Sequence, residues 1–93
     1  MRRLREQRYH GWKNWETWEV YILLTNTREL YREAVELAKE DDGELLLKEW
    51  VEESLLNCVR GGERAFELML EDIIDWFVGK VDWKEIVEAL REE

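Results

Sequence analysis

The chain has 93 residues and no proline, is 45% hydrophobic and 40% charged, and carries a formal net charge of −9. This length supports one domain with a single core, and the presence of one cysteine excludes an internal disulfide framework and a thiolate zinc cluster. No apolar run reaches the roughly 20 residues that span a bilayer, and no apolar segment follows the N-terminus as in a secretory signal, so we expect a cytoplasmic protein that does not enter a membrane.

The charge is distributed unevenly, because the first ten residues carry +3 and the remaining 83 carry −12. The basic side chains near the N-terminus are Arg2, Arg3, Arg5 and Arg8. Residues 1–10 lack a regular apolar pattern, and we interpret them as a basic N-terminal arm that precedes one helical domain over residues 11–93. A basic arm on an acidic body is the main electrostatic feature of the sequence.

Tryptophans are concentrated at the start of the domain, where three of the six fall within seven positions. Asn14 is a good N-cap residue and predicts a helix over residues 14–25. Trp15, Trp18 and Ile22 then share one helical face, and we predict that this face lies in the core. Buried tryptophans would remove a large apolar area from water.

Four further helices with short connections follow, and their apolar spacing predicts them over residues 28–40, 44–59, 63–78 and 83–91. The predicted N-caps are Asn26 paired with Glu29 or alternatively Thr27, then Asp42, and then Asp82 paired with Glu85. The predicted stops are Gly61-Gly62 and Gly79. Short connections place successive helices side by side, so the sequence predicts an all-α, single-domain bundle of four or five short helices.

The fourth predicted helix has the clearest apolar period. The residues predicted to face the core are Phe66, Met69, Leu70, Ile73, Ile74 and Phe77. Trp76 lies off this stripe and Trp12 precedes the first helix, so we expect both of these tryptophans to be partly exposed. In the last helix the predicted inward residues are Trp83, Ile86, Val87 and Leu90.

Two segments resemble a known family. The motif Gly11-Trp12-x-Asn14-Trp15-x-Thr17-Trp18 resembles the opening signature, G-W-x-N-[aromatic]-x-T-W, of small uncharacterised proteins from phages, plasmids and archaea. The stretch Val81-Asp82-Trp83-Lys84-Glu85-Ile86 is similar to their short terminal helix with a tryptophan. The second aromatic of the signature is usually tyrosine, and here it is Trp15. The resemblance covers about a third of the chain and implies a setting in mobile genetic elements rather than an activity.

Residues suited to catalysis are few. Nucleophilic catalysis would require His10, the single histidine, to lie beside Ser54 or Cys58. We predict instead that Cys58 lies on the apolar face of the third helix as a small hydrophobic residue. The carboxylates Glu71, Asp72 and Asp75 lack the histidines that a di-metal bundle needs, and no glycine-rich phosphate loop is present. The sequence therefore predicts no metal, no cofactor and no enzymatic activity.

Composition also bears on origin and function. A surface of Glu, Lys and Arg with few amide side chains is typical of thermophile proteins. We predict a small acidic protein-binding or regulatory module of mobile-element origin that attracts basic surfaces of partner proteins through its acidic helices. The alternative is a nucleic-acid-binding protein that uses the arm and exposed tryptophans, although a charge of −12 on the body opposes it. The candidate binding residues are Arg2, Arg3, Arg5, Arg8, Trp12 and Trp76. A role of the acidic surface in solubility alone, and the oligomeric state, are left open.

Overall fold

The computed structural model describes residues 9–92, and this part of the chain folds into five α-helices. The helices are α1 (Trp15–Asn26), α2 (Arg28–Ala38), α3 (Gly43–Val59), α4 (Arg64–Lys80) and α5 (Trp83–Arg91). Each helix end lies within two residues of its predicted position, so the prediction of an all-α, single-domain bundle is confirmed. Arg2, Arg3, Arg5 and Arg8 lie outside the described residues, and the basic arm stays a prediction.

A group of polar residues that we call the latch ties the start of α1 to the connection between α4 and α5. The Oδ1 atom of Asn14 accepts hydrogen bonds from the Thr17 backbone N–H at 2.9 Å and from the Thr17 hydroxyl at 2.6 Å. The Nδ2 atom of Asn14 donates to the carbonyl of Lys80 at 2.8 Å, and the backbone N–H of Asp82 donates to Thr17 Oγ1 at 2.9 Å. Thr17 is fully buried with its hydroxyl both donating and accepting, as a buried polar group requires.

The latch explains why the predicted core face of α1 is wrong at Trp15 and Ile22, whereas Trp18 is half-buried with its ring centroid 5.0 Å from that of Tyr9. The buried residues of α1 are Thr17, Val20 and Leu24. By contrast, Trp15 is 44% exposed and Ile22 is 36% exposed. Positions two apart point to nearly opposite sides of a helix, so the hydrogen bonds that turn Thr17 toward the α4–α5 connection turn Trp15 away from the core.

Helix α5 lies at the centre of the fold. Its buried residues are Trp83, Ile86, Val87 and Leu90, as the sequence predicts. The indole N–H of Trp83 donates to the carbonyl of Val78 at 3.1 Å, so the burial of this tryptophan leaves no donor without a partner. The Asp82 side chain caps α5 by accepting from the Glu85 backbone N–H at 3.2 Å, which confirms Asp82 as the cap. The reciprocal bond of the predicted capping box is wrong, because the Asp82 N–H donates to Thr17 and the Glu85 side chain accepts from the Lys13 N–H at 3.0 Å.

The side-chain hydrogen bonds predicted to cap α2 and α3 are not formed in the structure of residues 9–92. Asn26 ends α1 and does not cap α2, whereas Thr27 occupies the N-cap position of α2 without a capping hydrogen bond from its side chain. Asp42 likewise precedes α3 without such a bond. The Gly43 backbone N–H donates to the Glu40 carbonyl at 3.0 Å. Glycine is required at this close approach, because a Cβ atom at Gly43 would lie 2.9 Å from the Ala38 carbonyl oxygen, closer than real contacts allow.

The ends of α3 and α4 differ in how they use glycine. Gly61 follows α3 with a φ of +95°, the left-handed conformation that ends many helices, which confirms the predicted stop. Gly79 does not end α4, because the helix continues through Lys80. These two additional helical residues bring the Lys80 carbonyl to the position where Asn14 donates to it.

Candidate interaction surfaces

Trp12 belongs to a tight turn in front of α1. The backbone N–H of Tyr9 donates to the Trp12 carbonyl at 2.7 Å, and the Trp12 N–H donates to the Tyr9 carbonyl at 2.8 Å. The central residues His10 and Gly11 have φ angles of +51° and +89°, as in a type I′ turn. The turn places the Trp12 ring against Tyr21, with a centroid distance of 4.5 Å, so Trp12 is half-buried.

Trp76 lies on a different surface, the outer side of α4. It is 55% exposed, and Lys80 Nζ lies 5.7 Å from the centroid of its ring. Within residues 9–92, no ring contact joins Trp12 to Trp76. The two tryptophans are therefore not parts of one aromatic platform, and their role in binding stays a prediction together with that of the four arginines.

An apolar stripe along α4 faces solvent. Its residues, which we call the outer stripe, are Phe66, Met69, Ile73 and Trp76, and they are 62%, 55%, 51% and 55% exposed. The prediction that Phe66, Met69 and Ile73 face the core is wrong, and so is that for Leu70, which is 41% exposed. The buried residues of α4 are Ile74 and Val78, which lie on the side that packs against the other helices.

An apolar groove opens where four helices meet. It has a volume of about 190 Å³ and is lined by Val20, Leu23, Leu24, Leu30, Trp50, Val51, Ser54, Leu55 and Phe77. Ser54 supplies the one polar side chain of this lining. Leu23 and Leu30 are 52% and 39% exposed. The groove could not be predicted from the sequence because its lining residues come from four separate helices. One sequence feature indicates an additional apolar surface on α1: the apolar run from Val20 to Leu24 contains more apolar residues than a single buried helix face needs.

Charged side chains of both signs lie one helical turn from residues that line this groove, and residues one turn apart are neighbours on a helix surface. The acidic ones include Glu19, Glu33 and Glu53, and the basic ones include Lys48 and Lys80. Residues 11–93 as a whole carry a charge of −12. The groove is therefore an apolar opening on a body whose net charge is negative.

A charged contact holds the turn between α3 and α4. Arg64 Nη1 donates to Glu67 Oε1 at 2.7 Å, and the Gly61 backbone N–H donates to Glu67 Oε2 at 3.2 Å. The hydrogen bond from Arg64, with a further contribution from the Gly61 N–H, lowers the pKa of Glu67 below its usual value. The charged carboxylate is the form that joins the first turn of α4 to the end of α3.

The histidine and the cysteine of residues 9–92 belong to different elements, the turn before α1 and the helix α3. The His10 ring packs beside Tyr9 and Trp18, with centroid distances of 4.5 Å and 5.1 Å. Cys58 is exposed, so its predicted place on a buried face is wrong; the buried side chain of α3 is Leu47, nearer its start. Within the described part of the chain, no three His, Cys, Asp or Glu side chains are grouped closely enough to bind a metal ion.

None of the helices described over residues 9–92 combines the length and the apolar character that crossing a bilayer requires. Neither the curated proteins nor the solved structures contain a match to the chain. A family model, described as a family of unknown function (DUF7249), matches residues 5–93, and the matched range includes the signature residues of α1 and all five helices. The chain therefore belongs to the family of unknown function DUF7249.

Proposed function

We propose that this chain is a small protein-binding module, without enzymatic activity, that takes an apolar side chain of a basic helix from a partner protein into the groove. The observation that supports the proposal most directly is the groove itself, about 190 Å³ of apolar space between α1, α2, α3 and α4. Partner helices that present apolar anchors to such grooves are a recurring mode of recognition.

The energetic argument starts from the lining. Eight of its nine residues are apolar, and Leu23 and Leu30 expose much of their side chains at the edge. Covering apolar surface contributes about 25 cal/mol per Å², and one large anchor in a desolvated pocket often dominates a protein interface. Trp50 and Phe77 add flat aromatic surfaces against which such an anchor would pack.

The charge expected of the partner follows from the net charge of the protein. The helical body carries −12, and this acidic excess remains although Lys48 and Lys80 lie one helical turn from lining residues. Complementary charge increases the rate of association and suppresses wrong partners, so the partner helix is expected to carry Lys or Arg on either side of its apolar anchor. The mobile-element origin and the cytoplasmic location that the sequence predicts remain part of this proposal.

A matched pair of peptides tests whether the groove binds a basic helix. One labelled helical peptide carries a Leu/Phe face with lysines opposite, and the other carries the same apolar face with glutamates. Fluorescence anisotropy is expected to show binding of the lysine peptide that weakens with salt. The substitution Leu23→Glu should weaken it about tenfold or more, whereas Leu45→Glu, at a comparably exposed leucine outside the groove, should not.

The sign of the effect separates groove binding from general attraction between charges. Leu23→Glu makes the protein more acidic, so it would strengthen a purely electrostatic complex and weaken one that depends on the groove. Equal strengthening by both substitutions would contradict the proposal. Binding of labelled single-stranded or duplex oligonucleotides at physiological salt, lost on deletion of residues 1–8, would favour nucleic acid as the partner instead.

A further inference from the structure

We infer that the outer stripe of α4 is a self-association surface, at which two copies of the chain pack α4 against α4 in antiparallel orientation. This inference is independent of the groove proposal, because the four stripe residues are not part of the groove lining. It concerns a second copy of this chain and no other partner.

The spacing of the stripe is the first argument. Phe66, Met69, Ile73 and Trp76 follow one another at intervals of three, four and three residues. This is the spacing of the a and d positions of a coiled coil, where helices pack side by side. The intervals read the same in both directions, so an antiparallel pair places Phe66 of one copy opposite Trp76 of the other, and Met69 opposite Ile73.

The exposed area is the second argument. The four side chains are 51–62% exposed, and Leu70 on the same helix, which is 41% exposed, widens the face. Large side chains present about 150–250 Å² when free, so this face leaves on the order of 600 Å² exposed. Two such faces reach roughly 1,200 Å² in total, the lower end of specific interfaces. A patch of this size is at the upper limit for a typical monomer.

The charges on α4 are the third argument. Lys80 continues the stripe spacing at its C-terminal end, and an antiparallel pair brings it toward Glu63, which precedes α4 in the second copy. Asp72 is one turn from Trp76 at the edge of the stripe, and each copy carries a net charge of −9. Repulsion between the copies opposes association, and salt screens it. Self-association should therefore strengthen with salt, whereas binding of a basic helix in the groove should weaken.

Sedimentation equilibrium from micromolar to near-millimolar concentration tests the inference. The parent chain should pass from monomer to dimer, with a larger dimer fraction at higher salt. Ile73→Glu should remain monomeric throughout, and Leu68→Glu should associate like the parent. Leu68 is a matched control, because it lies on α4 off the stripe and is 46% exposed against 51% for Ile73. Circular dichroism establishes that each variant keeps its helix content.

The antiparallel orientation of the two α4 helices is tested separately by disulfide formation between chains that carry Cys58→Ser. A Phe66→Cys chain mixed with a Trp76→Cys chain in a glutathione buffer should form the mixed disulfide in excess over the Phe66→Cys homodimer. Excess of that homodimer would overturn the antiparallel arrangement. A parent chain that stays monomeric, or equal loss with Leu68→Glu, would overturn self-association. The groove proposal is judged separately, because Ile73→Glu should still bind the lysine peptide.

Discussion

Helices α4 and α5 are both amphipathic and both carry a tryptophan, but their apolar faces have different surroundings. Trp83 of α5 is 8% exposed, and its indole N–H donates to the Val78 carbonyl. Trp76 of α4 is 55% exposed, and the Lys80 ammonium lies 5.7 Å from the centroid of its ring. Helix α5 packs against α1, α2 and α3, whereas α4 packs against α1 and α3. A helix with fewer neighbours keeps part of its apolar surface available for another molecule.

The largest expected difference is between the two tryptophans. Trp83→Ala should lower the free energy of unfolding by about 3–5 kcal/mol, because it leaves a cavity at the centre of the bundle. Trp76→Ala should change it by only about 0.5 kcal/mol at a concentration where the chain is monomeric. Urea unfolding followed by circular dichroism measures both values. Similar losses for the two variants would break the comparison between α4 and α5.

Two adjacent isoleucines compare the faces of α4 directly. Ile74 is 9% exposed and Ile73 is 51% exposed. Ile74→Ala should cost about 2–4 kcal/mol as a buried truncation, while Ile73→Ala should cost under about 1 kcal/mol in the monomer. The same urea titration at low protein concentration serves as the measurement. If Ile73→Ala proves the more costly variant, the outer stripe is covered in the monomer and cannot be an interaction surface.

The latch gives a smaller expected effect. Thr17→Val keeps the shape of the side chain but removes the hydroxyl that accepts from the Asp82 N–H and donates to Asn14. Because a buried donor then lacks its partner, the cost should be about 1–3 kcal/mol. Thr25→Val is the matched control, since within residues 9–92 the Thr25 hydroxyl donates to the carbonyls of Tyr21 and Ile22 in its own helix. Equal costs would show that the latch does not join α1 to the α4–α5 connection.

The smallest expected effect is the dependence of stability on pH at the first turn of α4. The folded state lowers the pKa of Glu67, so its ionised carboxylate stabilises the fold above the usual glutamate pKa of about 4.3. That contribution is lost as the pH falls through the lowered folded pKa. Glu67→Gln should thus reduce stability near neutral pH and converge with the parent in acid. Urea titrations over pH measure this, with Glu88→Gln on the exposed side of α5 as a control for net charge.

Where the helices begin and end could be predicted because the signals are local. The Asn14 side chain caps α1 by accepting from the backbone N–H of the third residue after it, and Asp82 caps α5 in the same way. Gly61 adopts the left-handed conformation that ends α3. Such contacts form within one turn of the chain and need no neighbouring helix. The apolar period of α4 likewise predicts a helix from its own residues alone.

Which side of each helix is buried depends on contacts between residues far apart in the chain. Thr17 and Asp82 are 65 positions apart, and their hydrogen bond orients α1 so that Trp15 and Ile22 face outward. Periodicity reports that a helix has an apolar face, but burial requires another element against that face, and α4 has more apolar surface than its two neighbours cover. The groove and the outer stripe are therefore properties of the packed molecule. The groove arises where four helices meet, and the outer stripe arises because neither neighbour of α4 covers that side of the helix.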